Sequence, residues 1–126
     1  MQPGLLLAIA AAGSVGSVCR YLLALLVTSL CGTFPLHTFV INALGCLLFG
    51  VCWAIGHGRW PTAVTQTVLV GFFGAFTTFS SFAFDCVMLG ADRRWIAFAV
   101  DLLGQNAVGL LAMWCGMVLG ERLLAG

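Results

Sequence analysis

Gly71–Phe84, GFFGAFTTFSSFAF, lies inside an apolar segment long enough to cross a bilayer, yet it makes a poor continuous helix. Gly71 and Gly74 each weaken a helix by about 1 kcal/mol relative to alanine. Thr77, Thr78, Ser80 and Ser81 follow at once, and their hydroxyls compete for nearby backbone groups. In hydrocarbon an unpaired backbone group is expensive, so a helix breaks only where protein or a polar cavity covers the break. A break over about Gly74–Ser80 therefore points to an ion or solute site, the logic of discontinuous helices in transporters. The alternative is a helix whose small residues pack tightly on a neighbour. Composition alone leaves both open.

The rest of the chain agrees with a membrane setting. It has 126 residues, 62% hydrophobic and 7% charged, with a mean hydropathy of +1.12. A soluble domain of this size cannot hide so much apolar surface. No basic segment precedes the first apolar run, which is longer than a signal-peptide core, so it is expected to be a retained span. The six cysteines form no CxxC pair and read as small packing residues, not as disulfides or zinc ligands. A net charge of +1 gives no pointer to nucleic acid, and none is expected as a partner. No Ser-His-Asp set, metal-ligand cluster or phosphate loop supports an enzyme.

Four spans are predicted, about Leu5–Leu30, Leu36–Ile55, Val64–Leu89 and Trp95–Leu119. Each is near or above the roughly 20 residues a spanning helix needs. The connections CGTFP, HGRWP and GADRR are short, which makes sequential helices antiparallel neighbours. The expected fold is an all-α membrane protein, one four-helix transmembrane domain over residues 1–126, with its third helix broken. His37 and His57, near span ends, are expected to face solvent.

Several polar residues fall within the spans. In span one, Ala12/Gly16 and Gly13/Ser17 are four apart and give a face of small residues for close helix packing. Arg20 lies one turn further, and a charge inside a span is a functional-site hypothesis by default. It either pairs with Asp85 or Asp101, which fall in the same membrane half, or attracts anions to a vestibule. In span two, Thr38, Asn42, Gly45 and Phe49 share one helical face. Asn42 offers two donors and is either interhelical hydrogen-bond glue or a ligand. In span three, Phe79 and Phe82 project from one face; they are either core or lipid-facing rings, or present positive ring edges to an anion. Phe72, Phe73, Phe76 and Phe84 read as core or lipid-facing. Gln105 and Asn106 in span four read as glue.

The arginines of loops and tail divide evenly. Arg59 and Arg122 share one side and Arg93 and Arg94 the other. The asymmetry that orients membrane proteins is almost absent, so both orientations are expected. Four helices enclose little aqueous room. Together these favour an antiparallel homodimer with dual topology, like inverted repeats made by two chains.

The chain resembles the CrcB/Fluc family of small fluoride channels. The likeness rests on GSVGSVCRY (Gly13–Tyr21), TFxxNxxG (Thr38–Gly45), GFxGxFTTFSSF (Gly71–Phe82), and the four-span length. The resemblance implies a dual-topology homodimer with two fluoride pathways in the bacterial plasma (inner) membrane. It implies that Asn42, Phe79 and Phe82 line those pathways, with Thr38 nearby and Arg20 near the aqueous vestibule. It also implies a central structural sodium ion held by backbone carbonyls at the break, matching Gly74 and Thr77. Asp85 stands where the family commonly has a glutamate.

The physical reading agrees. Fluoride holds its water strongly, so a conduit must offer hydrogen-bond donors in its place. Asn42 and the hydroxyls of Thr38 and Ser80 can donate. Passive electrodiffusion that lowers cytoplasmic fluoride is expected. The competing reading is a proton-coupled exporter like the small multidrug-resistance proteins, which needs a titratable carboxylate within the membrane. Span one has no Asp or Glu; only Asp85 and Asp101 could serve, both toward one interface. A third is a non-transporting membrane scaffold.

Overall fold

The computed structural model describes residues 2–32 and 35–126. Met1, and Thr33 and Phe34 of the CGTFP connection, lie outside the described residues. The described chain is helical: α1 (Pro3–Cys31), α2 (Leu36–Gly56), α3 (62–76), α4 (Phe79–Ala91) and α5 (Trp95–Ala125). α3 and α4 together make one apolar span, Thr62–Ala91, so four spans are long and apolar enough to cross a membrane.

The third span breaks at Thr77 and Thr78. Thr77 has φ −80° and ψ 158°, and Thr78 has φ −148° and ψ 110°, both extended. The expected window was wider; the chain leaves the helix for two residues only. Thr78 restarts it as an N-cap, its Oγ1 accepting from Ser81 N–H at 3.2 Å, the role in which threonine is favoured. Upstream of the break, Gln66–Phe73 winds as a wider π-type helix. Nothing in QTVLVGFF marks that widening in advance.

Small residues set the packing. α1 lies along α3, where a methyl group at Gly71 would stand 2.9 Å from Ile9 O and 3.0 Å from Ala12 Cβ. One at Gly16 would collide with the Phe72 carbonyl. Ala12, Gly13 and Gly16 therefore form the predicted close face, whereas Ser17 is exposed. α2 lies along α5 in the same way, Gly50 against Met113 O and Gly116 against Leu47 O. With no lipid-excluding drive between helices in a bilayer, such close backbone approach supplies the van der Waals contact that holds a bundle.

The phenylalanines divide as the pattern implied. Phe73 and Phe76 are buried, and Phe73 meets Phe49 with ring centroids 5.7 Å apart. Phe84 is exposed. All six cysteines are free thiols.

Candidate functional site: the cavity at the break

α2 brings Asn42 directly to the break. The backbone N–H of Thr78 donates to Asn42 Oδ1 at 2.9 Å. Asn42 Nδ2 donates to Thr78 O at 3.2 Å and to Gln105 Oε1 at 2.9 Å. One side chain thus closes both sides of an interrupted peptide and ties it to α5. That is the partner an exposed break requires in a membrane. Gly45, one turn on, is a glycine because a methyl there would strike Thr77 Cγ2.

The polar line continues inward. Gln105 Nε2 donates to Asp101 Oδ1 at 2.9 Å, and Cys86 Sγ donates weakly to Asp101 Oδ2 at 3.4 Å. Asp101 is wholly buried, 0% exposed. A buried polar chain with its members satisfied stiffens the packing around it.

Beside this line lies a cavity of about 370 Å³. Its polar wall is Asn42, Thr77, Thr78, Gln105 and Asn106, and its apolar wall includes Phe49, Phe79, Phe82 and Met113. Phe79 and Phe82 stand 5.5 Å apart, tilted by 60°. Phe82 is 7% exposed but Phe79 is 78% exposed, so in the single chain the cavity opens on its Phe79 side. α4 begins here, and its N-terminal end carries partial positive charge. Amide donors, ring edges and a helix N-terminus around one cavity suit an anion; among the described residues no fixed cation lines it.

The break also frees carbonyls. Thr78 N–H is engaged by Asn42, and Ser81 N–H by Thr78 Oγ1. The helical partners of Gly74 O and Thr77 O are therefore bound elsewhere. A methyl at Gly74 would meet nothing within 4 Å, so the space beside it is open. Free carbonyls at the end of a half-helix suit a hard cation such as sodium, and the residues present fit one.

The remaining sequence candidates lie outside this cavity wall. Thr38 is 1% exposed and its Oγ1 has no hydrogen-bond partner among the described residues. Ser80 is exposed, with its Oγ 3.2 Å from Thr78 Oγ1. Arg20 is half-buried on α1. Asp101 bonds to Gln105 and Cys86, not to Arg20. Asp85 lines a second cavity of about 310 Å³ with His37, Asp92 and Arg94, so the arginine that shares its surroundings is Arg94. Asp85 Oδ2 has no hydrogen-bond partner among the described residues. His37 is half-buried there, whereas His57 is exposed and stacks on Trp53 at 4.9 Å.

Sequence reasoning undervalued Gln105 and Asp101. The signal was present: two polar residues four apart on an apolar helix share a face, and that face meets Asn42.

Residues 7–117 match the family described as CrcB-like protein, Camphor Resistance (CrcB). Among similar proteins, one from Nitrosococcus oceani is 44% identical over 116 residues, covering 90% of this chain and 93% of that one. One from Nitratidesulfovibrio vulgaris is 43% identical over 113 residues, covering 87% and 91%. One from Desulforapulum autotrophicum is 44% identical over 116 residues, covering 90% and 93%. Each is named fluoride-specific ion channel FluC, a channel and not an enzyme.

Proposed function

The chain belongs to the CrcB-like family, and on that premise we propose that it is a fluoride-selective channel, passing the ion passively out of the cell across a bacterial plasma membrane. The observation that carries this reading is the break itself, bracketed by Asn42 and opening on a cavity walled by Phe79 and Phe82.

Fluoride enters such a site by exchanging water for protein donors and ring edges. None of these is a full positive charge, so the ion is not trapped, which throughput requires. Arg20 acts at a distance, raising the local anion concentration near the mouth. Ser80, beside Thr78, adds an exposed hydroxyl to the donor path, and Thr38, one turn before Asn42 on α2, adds a buried one whose Oγ1 has no partner among the described residues.

The working unit is an antiparallel homodimer with two pathways. Three features support it. Ser80 and Asn106 are exposed within apolar spans, where lipid would leave them poorly solvated. Phe79 lines the cavity yet is largely uncovered. The loop and tail arginines give no preferred orientation. A second copy covers the first two and fits the third. A structural sodium would supply positive charge at the break. This chain's part is to offer the Gly74 and Thr77 carbonyls.

A proton-coupled exporter fits less well. Of its two candidate carboxylates, Asp101 is fully buried behind Gln105 and Asp85 sits in the other cavity. The test is fluoride release from proteoliposomes with and without an imposed proton gradient. Release down the fluoride gradient alone supports a channel; release only with the proton gradient supports the exporter, and no release at all supports a scaffold.

A further inference from the structure

We propose that Asp101 is a positioning residue for the pathway, and that it does so by turning Gln105 so that one Gln105 N–H serves the anion. The inference rests on the channel reading. It starts from hydrogen-bond direction. A backbone N–H can only donate, so Thr78 N–H requires the oxygen of the Asn42 amide. Asn42 Nδ2 is then the atom facing Gln105, which must answer with Oε1. Gln105 Nε2 is therefore turned to Asp101, whose Oδ1 accepts. The direction set at the break runs unbroken to a fully buried carboxyl group, and Asp101 is the acceptor that ends it.

The donor inventory gives this arrangement its consequence. Both Asn42 N–H groups are engaged by Thr78 O and Gln105 Oε1. The Thr77 hydroxyl is engaged by Phe73 O, and that of Thr78 by Ser81. Gln105 Nε2 has two hydrogens and gives one to Asp101. The other has no protein acceptor among the described residues, and Gln105 lines the cavity. Asn106 Nδ2 likewise gives one hydrogen to Leu102 O and keeps one, but within the Asn42–Gln105–Asp101 line the free Gln105 N–H is the side-chain amide hydrogen left for an ion. Without Asp101, the Gln105 amide is held at its oxygen alone, by Asn42 Nδ2, and it swings about that one bond so that Nε2 no longer keeps its free N–H on the cavity.

Three variants in liposomes, read with a fluoride electrode, test this. Asp101→Asn keeps an acceptor oxygen for Gln105 and should conduct within about twofold of the parent. Asp101→Leu removes it and should slow efflux at least tenfold. Gln105→Glu removes the donor itself. The introduced carboxyl keeps an oxygen to accept from Asn42 Nδ2 and has no N–H to offer an ion. The N–H for the ion is lost, and efflux should again fall at least tenfold. A folded Asp101→Asn protein that loses flux, or an Asp101→Leu or Gln105→Glu protein at parental rate, overturns the inference. Absence of fluoride flux in the parent protein instead overturns the channel reading beneath it. If Asp101→Leu does not fold, the Asp101→Asn and Gln105→Glu results decide the matter.

Discussion

Asn42→Asp is the substitution whose effect follows most directly from the geometry. The side chain keeps its size, and one carboxylate oxygen still accepts from Thr78 N–H. The other oxygen replaces Nδ2. It now faces Thr78 O and Gln105 Oε1, which stood 3.2 and 2.9 Å from a donor. Two hydrogen bonds become two oxygen–oxygen oppositions. Each lost bond is worth about 1 kcal/mol net, and each acceptor left buried without a donor adds about 1–3 kcal/mol. A floor of about 2 kcal/mol follows from the bonds alone, before any repulsion between the new charge and a passing anion. Felt in the barrier, about 2 kcal/mol slows a rate about 30-fold at 1.36 kcal/mol per decade. Fluoride efflux from liposomes holding the purified variant should fall by at least that factor, with the protein still monodisperse on size exclusion. A folded Asn42→Asp protein that releases fluoride at the parental rate refutes the argument and takes Asn42 out of the pathway.

Other outcomes follow from the same geometry. Phe79→Ile should cut flux with little loss of single-chain stability, since that ring is 78% exposed; equal flux in the electrode assay counts against a ring-edge role. Phe82→Ile should cut flux and also lower the melting temperature, because Phe82 is buried. Gly116→Val forces a side chain onto the Leu47 carbonyl and should destabilise the α2–α5 pair by about 1–3 kcal/mol, read by thermal unfolding in detergent. Replacing sodium with a bulky organic cation should lower the melting temperature, and adding sodium back should restore it, because a ligand of the folded state stabilises by mass action. A reporter fused to the C-terminus should signal from both sides of the membrane; a strictly one-sided signal contradicts dual topology.

How far the molecule could be read from its sequence differs from element to element. The spans were legible because apolar runs bounded by Gly, Pro and Arg leave few alternatives at this composition. The break was legible because glycine and hydroxyl residues crowd one short stretch, although only Thr77 and Thr78 leave the helix. Asn42, Gly45 and Phe49 were placed on one face by spacing alone, and all three line the cavity. Thr38 shares that spacing but sits in tight packing, because periodicity fixes a face and not how deeply a neighbour covers it. The Asp101–Gln105 line was visible as an i, i+4 pair, but its meaning needed the distance to Asn42. Arg20 near two aspartates in the same membrane half suggested a pair. Which arginine shares a cavity with Asp85 depends on how α1, α4 and the start of α5 splay, and hydropathy carries no such information. The widened turns of Gln66–Phe73 lie against α1, with Gly71 close to Ile9 and Phe72 close to Gly16, and no single residue announces them.

The central claim is that donors and ring edges, without a full charge, let fluoride through this chain. Liposomes loaded with potassium fluoride or potassium chloride, each opened with a potassium ionophore, test it most directly. The account predicts rapid fluoride release, little chloride release, and no need for a proton gradient. Equal release of both halides, or none of either, contradicts it.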